Sequence, residues 1–307
     1  MEANYANIQI TASEAAQIAR QRYLLDGEIS PLPGELDFNF KLKTTEDVFL
    51  LKISRPDANA QEIDFQKEIL QWVAQKGRNI CSPHLLNDKD GNSISKIIDK
   101  KGQTRLVRLL SFIPGRLWSS VNPQNETLLY SLGKEAGKLS TTLQGFEHPL
   151  AQRDFQWDVG QAQWTYNYTN LFSDDKLEII EYFQSLFKEI HEPYQSLRKS
   201  VVHSDANDNN VIVSNDLIHP QVKAIIDYGD AIYTQTINDL AIAIAYAVMN
   251  KPDALEAALP IIKAYHQEFP LLEEELEFLY TLVAMRLVIS VTKSAINRQL
   301  EPDNTYL

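Results

Sequence analysis

The stretch His203-Ser-Asp205-Ala-Asn-Asp-Asn-Asn210, with the apolar run Val222 to Ile226 and Asp227 after it, constrains this chain more than any other part of it. Val211-Ile-Val213 and Lys223-Ala-Ile-Ile226 read as two short strands, joined by a turn over Ser214 to Pro220. Such a hairpin brings Asn210 and Asp227 together at its open end. Asp205 stands five residues before Asn210, in the spacing H-x-D-x-x-x-x-N. These are the parts of a phosphoryl-transfer site: an aspartate to accept a hydroxyl proton, and two hard oxygen ligands for Mg²⁺. Turn-forming Asn and Asp account for the composition of the loop, but not for its spacing and strand context together.

A phosphate clamp is expected upstream. Val48-Phe-Leu-Leu-Lys52-Ile-Ser is an apolar strand with one lysine embedded in it, the pattern of a lysine that pairs with α/β-phosphates. From Gln61 to Gly77 the apolar residues Ile63, Phe65, Ile69, Leu70 and Val73 recur at helical spacing. A glutamate on that helix should hold the lysine. Glu68 is the expected partner and Glu62 the alternative.

Arg105-Leu-Val-Arg-Leu-Leu-Ser-Phe-Ile-Pro-Gly115, the 203–210 loop and Ile226-Asp227-Tyr-Gly-Asp230 resemble the aminoglycoside phosphotransferase/choline kinase superfamily, and within it the hydroxylysine kinase branch. The resemblance extends to Phe155-Gln-Trp157-Asp158, to Arg286-Leu-Val-Ile-Ser-Val-Thr and to the tail Glu301-Pro-Asp-Asn-Thr-Tyr-Leu. That tail also resembles the kinase module of bacterial proteins that continue into a pyridoxal-phosphate domain, which implies a fragment of a longer parent.

The resemblance implies an α+β, two-lobed, protein-kinase-like fold. Residues 1–110 would form a small lobe of antiparallel sheet plus helix, 111–116 a hinge, and 117–307 a large, mainly helical lobe. It implies Asp205 as catalytic base, His203 as structural partner of the loop, Asn210 and Asp227 as Mg²⁺ ligands, and Lys52 as clamp on ATP or GTP. Leu110, Ser111 and Phe112 would meet the purine through their backbone. A glycine-rich loop is missing, since Leu32-Pro-Gly34-Glu-Leu-Asp-Phe38-Asn39-Phe40 has one glycine. Asn39 and the backbone at Asp37 and Phe38 are expected in its place.

On the acceptor side, Asp230 adds a carboxylate for a cationic substrate. Trp157 and Asp158 read either as an ammonium-binding pair or as a buried tryptophan with a helix-capping aspartate. Asp239 resembles the helix-starting aspartate that braces the catalytic loop. Arg286, on an apolar helix, reads as a ligand for a substrate carboxylate or as half of a buried ion pair. The acceptor implied is a small molecule, a cationic amine of the amino-alcohol or hydroxy-amino-acid type, in a pocket with more acids than bases at its wall. Aminoglycoside, choline, ethanolamine and homoserine kinases share the same motifs. A non-catalytic binding module of this fold should lack Asp205, Asn210, Asp227 or Lys52, and all four are present.

A net charge of −12 argues against nucleic acid, whose phosphates need basic patches, and suits a cationic ligand. One cysteine, Cys81, excludes an internal disulfide and a cysteine metal cluster. Met1-Glu-Ala-Asn-Tyr has no signal-peptide pattern and no uncharged apolar run approaches spanning length, so no membrane partner is expected and the cytoplasm is the expected compartment. Along the chain the pattern predicts a helix over Thr11–Tyr23, strands near 36–42, 47–54, 94–99 and 104–111, and a helix opening at Pro123 with Leu128, Leu132, Ala136, Leu139 and Leu143 on one stripe. It predicts further helices over 160–168 and near 174–197, 237–250, 252–268 and 271–299.

Overall fold

The structure, a computed structural model, describes residues 8–34, 37–77 and 79–300, with backbone alone at Asp174 and Leu300. The tail motif 301–307 and residues 35–36 of the expected phosphate loop lie outside the described residues. Two compact units divide the chain: residues 1–74 with 82–114, and residues 75–81 with 115–307. The change at Pro114/Gly115 falls within the expected hinge, whereas the grouping of 75–81 with the second unit differs from a single contiguous split.

The first unit opens on α1 (Ala12–Tyr23). Thr11 caps it, accepting from Glu14 N while the Glu14 side chain accepts from Thr11 N, a reciprocal box that closes two free N–H donors. Its stripe of Ala15, Ala19 and Tyr23 packs with Phe40, Leu42, Leu51 and Ile53 from the sheet. That sheet is antiparallel throughout, in the order β1 (Glu28–Leu32), β2 (Asp37–Lys43), β3 (Val48–Ser54), β6 (Thr104–Ser111), β4 (Leu85–Leu86), with β5 (Ser95–Ile98) also on β6. β1 was not expected; it is an edge strand, where Pro31 removes no ladder bond that the sheet needs. The helix α2 (Ala60–Lys76) buries the five apolar residues of its predicted stripe. Arg105, 1 % exposed, reaches Asp99, Ser54 O and Ile8 O. Asp88 collects bonds from Arg22, Ser95 and the Asp90 and Asn92 N–H groups.

The second unit is helix-rich. Its short sheets are β7 (Arg116–Leu117) with β9 (Val211–Val213) and β10 (Val222–Ile225), and β8 (Lys199–Val202) with β11 (Ile232–Gln235). Its helices are α3 (Glu126–Leu143), α4 (Asp174–Gln195), α5 (Ile237–Ala247), α6 (Ala254–Glu268) and α7 (Glu273–Leu300). α3 begins at Glu126 and not at Pro123, because Asn125 supplies the cap, accepting from Leu128 N. Its predicted stripe, Leu128 to Leu143, is buried. On the same helix Gly133 and Gly137 let α6 approach backbone to backbone: a Cβ would fall 2.0 Å from Ile261 O and 2.8 Å from Tyr265 O. The helix expected over 160–168 is a 3-10 segment, Val159–Leu171, broken at Gln161 and Tyr168. α7 is long and apolar enough to cross a bilayer by length and composition. It packs on α4, α5 and the 159–171 segment and carries the buried Arg286 and Glu275, the habit of a core helix.

Candidate active site

In the second unit, β9 and β10 pair as predicted, from Val213↔Val222 to Val211↔Ile225. Ile226 N then donates to Asn210 O at 2.9 Å, which closes the hairpin and sets Asn210 and Asp227 at its open end. The loop ahead of β9 is held by its own asparagines. Asn207 Oδ1 accepts from the Asn209 and Asn210 N–H groups, and Asn207 Nδ2 donates to Asp205 Oδ1 at 2.9 Å. Asn210 Nδ2 donates to Asp205 Oδ2 at 2.6 Å and to its backbone oxygen at 3.1 Å.

His203 is fully buried and orders this loop from within. Its Nδ1 accepts from Asp205 N at 3.2 Å, so the proton sits on Nε2, which donates to Ile226 O at 3.1 Å. Burial holds its pKa below the ordinary value, against the pull of Asp239 and Asp227, so the ring is neutral. One neutral imidazole thus ties the loop carrying Asp205 to the strand end carrying Asp227.

Ser204 and Asp227 both adopt φ of +66°, a region L-residues visit at a cost. Asp239, 2 % exposed at the start of α5, offsets this for the loop: Oδ1 accepts from Ser204 N at 2.8 Å and Oδ2 from His203 N at 3.3 Å. Behind it, Tyr265 donates to Ser140, and Ser140 to Asp239. The bracing expected of Asp239 is therefore present as hydrogen bonds.

Arg286 meets Asp205 itself. Its Nη2 lies 3.0 Å from Asp205 Oδ1 and its Nη1 donates to Trp157 O at 2.8 Å. The guanidinium sits 4.9 Å over the Trp157 ring and 5.6 Å over that of Tyr246. Of its two readings, the buried ion pair holds, and the acid is Asp205. Burial raises the Asp205 carboxyl to about 7; Arg286 works against this, while Asp230 and Asp227 add to it. A carboxylate with such a raised affinity for protons is suited to take one from a hydroxyl.

The acceptor-side expectations need correction. Asp158 is 3 % exposed and turned inward: it accepts from Gly160 N, Gln161 and Thr234 as the cap of the 159–171 segment. Trp157 is half-buried and covers Arg286, so the pair does not form an ammonium site. The same segment meets two cations, Arg286 at Trp157 and Lys293 at Gln156 and Trp164. Asp230 lies in the 3-10 turn Tyr228–Asp230, close enough to Asp205 to raise its pKa.

Oxygen donors for a divalent cation are available. Asn210 directs its amide nitrogen to Asp205, and its Oδ1 has no hydrogen bond among the described residues. Asp227 is exposed at the hairpin end. No group of three His, Cys, Asp or Glu suited to a metal occurs among the described residues. An Asn–Asp pair fits Mg²⁺, which keeps waters and substrate phosphates as its remaining ligands.

In the first unit, Lys52 Nζ lies 3.5 Å from Asp37 Oδ2, and Arg108 donates to the same oxygen. Lys52 pairs with Arg108 on one side and Asn39 on the other in the strand register. Asp37 is thus an acid shared by Lys52 and Arg108 that the sequence pattern did not reveal; the expected partner Glu68 lies on α2. Asn39 donates to Pro33 O, and its buried Oδ1 has no hydrogen-bond partner among the described residues. Of the expected purine contacts, Leu110 is interior to β6, Ser111 N donates to His84 O, and Phe112 N donates to Val48 O. Those two N–H donors are engaged within the unit.

The chain matches the phosphotransferase enzyme family over residues 28–277. It is 28 % identical to the hydroxylysine kinase of Mus musculus over 90 % of this chain and 79 % of that protein. It is 24 % identical to the homoserine kinase of Zymomonas mobilis over 79 % and 72 % of the two chains. Among solved structures it shares its fold with an amicoumacin kinase in complex with AMP-PNP, Ca²⁺ and Ami (TM-score 0.72, 17 % identity, 97 % of this chain and 89 % of that one). It likewise shares it with a microcompartment-associated aminopropanol kinase (TM-score 0.70, 17 % identity, 94 % and 97 %).

Proposed function

Since this chain belongs to the phosphotransferase enzyme family, we propose that it transfers the γ-phosphoryl group of ATP or GTP to the hydroxyl of a hydroxy amino acid or related amino alcohol of the hydroxylysine type. The chain is a small-molecule kinase. The observation that carries the mechanism is the setting of Asp205, a carboxylate fixed by Asn207, Asn210 and Arg286 with its proton affinity raised. In this reading Asp205 orients the acceptor hydroxyl and takes its proton as the oxygen attacks phosphorus. Lys52 holds the donor's phosphates, and Asn210 and Asp227 hold Mg²⁺. An ion held there would supply positive charge to offset what develops on the donor's phosphates. Fixed geometry and electrostatics supply most of the rate.

The acceptor class rests on the relatives. Hydroxylysine and homoserine are both amino acids with a side-chain hydroxyl, and kinases named for each are similar to this chain over most of its length. Asp230 is the residue we assign to the acceptor's ammonium group. The cytoplasm, and a longer parent continuing into a pyridoxal-phosphate domain that consumes a phosphorylated amine, belong to the same reading. The test is release of nucleoside diphosphate from ATP and GTP with hydroxylysine, homoserine, ethanolamine, choline and an aminoglycoside. Turnover is expected with a hydroxy amino acid, and it should fall by about two to four orders of magnitude in Asp205→Asn while nucleotide still binds. Near wild-type turnover in that variant would overturn the assignment of the base.

A further inference from the structure

Lys293 is another cation of α7 that meets the 159–171 segment. It follows Arg286 by seven residues on α7, two turns along one face. Both heads reach the segment that begins at Gln156. Arg286 takes Trp157 O, while Lys293 donates to Gln156 Oε1 and lies 5.3 Å over the Trp164 ring. Trp164 is itself fixed, donating Nε1 to Gln156 O at 2.8 Å and meeting Tyr168 edge to face.

The two cations differ in one respect. Arg286 is neutralised by Asp205, and its guanidinium is fully engaged. Lys293 is partly buried, enough to lower its pKa, yet no carboxylate lies within 4.0 Å of it among the described residues. An ammonium desolvated against an indole, with only an amide oxygen for company, gains most from an anion brought by a ligand.

We infer that Lys293, on its Trp164–Gln156 platform, is the seat for the acceptor's carboxylate. The inference rests on the kinase reading above and names the part of the acceptor it left open. Asp205 fixes where the hydroxyl lies. Two helical turns, about 10 Å along the axis, separate the residue that holds Asp205 from the residue that would hold the anion. The acceptor is therefore a chain that carries its hydroxyl several atoms from its carboxylate, and an amine without a carboxylate leaves Lys293 unused. The site then discriminates by charge: a zwitterionic amino acid satisfies it and a simple amino alcohol does not.

The test compares hydroxylysine with its decarboxylated counterpart, in the wild-type chain and in Lys293→Met and Lys293→Arg. Lys293→Met is expected to raise KM for hydroxylysine about tenfold or more, the scale of one lost charge-assisted hydrogen bond, with KM for nucleotide and for the decarboxylated amine within about twofold of wild type. Lys293→Arg, which keeps the cation, should restore most of the affinity. Equal effects on both acceptors, or none, would overturn the carboxylate seat. So would a wild-type chain that uses the decarboxylated amine as well as the amino acid, although the kinase reading would then stand. Failure to phosphorylate either hydroxylysine or homoserine, with another acceptor used instead, overturns the acceptor class and the seat together.

Discussion

Arg286 Nη2 lies 3.0 Å from Asp205 Oδ1, across 81 positions of sequence. The same guanidinium is held by Trp157 O and by the Tyr246 hydroxyl, which in turn meets Ser290. A head group tied on three sides cannot swing toward a ligand. Its effect is on Asp205: it selects that side chain's rotamer and keeps a buried carboxylate from being left without a counter-charge.

Arg286→Met should therefore lower kcat by about two orders of magnitude and stability by about 3 kcal/mol, the cost of breaking a buried pair from one side. Arg286→Lys retains charge but not the planar fork, and should fall between the two. Steady-state kinetics with thermal melts separate these effects. Unchanged kcat in Arg286→Met would show that Asp205 needs no such partner.

Asp239→Ala removes the acceptor for two buried N–H groups, those of His203 and of the left-handed Ser204. Each unsatisfied group costs about 1–3 kcal/mol. The expected result is a lower melting temperature and a larger loss in kcat than in nucleotide affinity, since the loop being braced carries Asp205. Calorimetric nucleotide titration beside kinetic assays reads both quantities.

Asp37→Asn leaves Lys52 and Arg108 without the acid they share. Two cations then face one another across neighbouring strands, and the lysine loses one of its restraints. Nucleotide KM is expected to rise about tenfold, consistent with the 1.4 kcal/mol scale of one charge-assisted contact, while acceptor KM stays within about twofold. A shift confined to acceptor KM would remove Asp37 from the clamp.

Stability of the first unit should depend on Asp88 in acid. Burial raises its pKa, but bonds from Ser95, the Asn92 and Asp90 N–H groups and Arg22 outweigh this and hold it down to about 2, from 3.8. A depressed folded value contributes stability that is complete above the unfolded pKa and is lost as pH falls through the folded one. Wild-type stability should thus decline between about pH 4 and pH 2. Asp88→Asn should start lower and lose less over that window. Parallel urea titrations of both proteins at several pH values measure the difference.

What could be read from the sequence was local. His203, Asp205, Asn210 and Asp227 lie on one loop and one hairpin, so turn chemistry and strand period place them without knowledge of the rest. The capping of α1 and the stripes of α2 and α3 follow from spacing alone. Asn207 was missed although it too is local; its position two residues after Asp205, within a run of turn-forming residues, was an available signal. The other misses are tertiary. Nothing near Arg286 in the chain reveals that its acid is Asp205, nor does a heptad spacing show that Lys293 meets Trp164. Asp158 carried two readings because an aspartate before a short helix can cap inward or face a ligand, and only Thr234, 76 residues away, decides between them. Cross-strand neighbours such as Lys52 and Arg108 become visible only once register is known.

The approach of α3 to α6 at Gly133 and Gly137 bears on how this chain could change over time. Tyr265 sits where Gly137 permits it, and from there supports Ser140, Asp239 and the backbone at Ser204 in series. A relative with alanine at either glycine must hold the two helices farther apart. Its tyrosine would then withdraw from the serine, and the aspartate would need a new neighbour. Drift at these positions is therefore correlated: helix spacing, the tyrosine–serine contact and the loop geometry must be exchanged as a set.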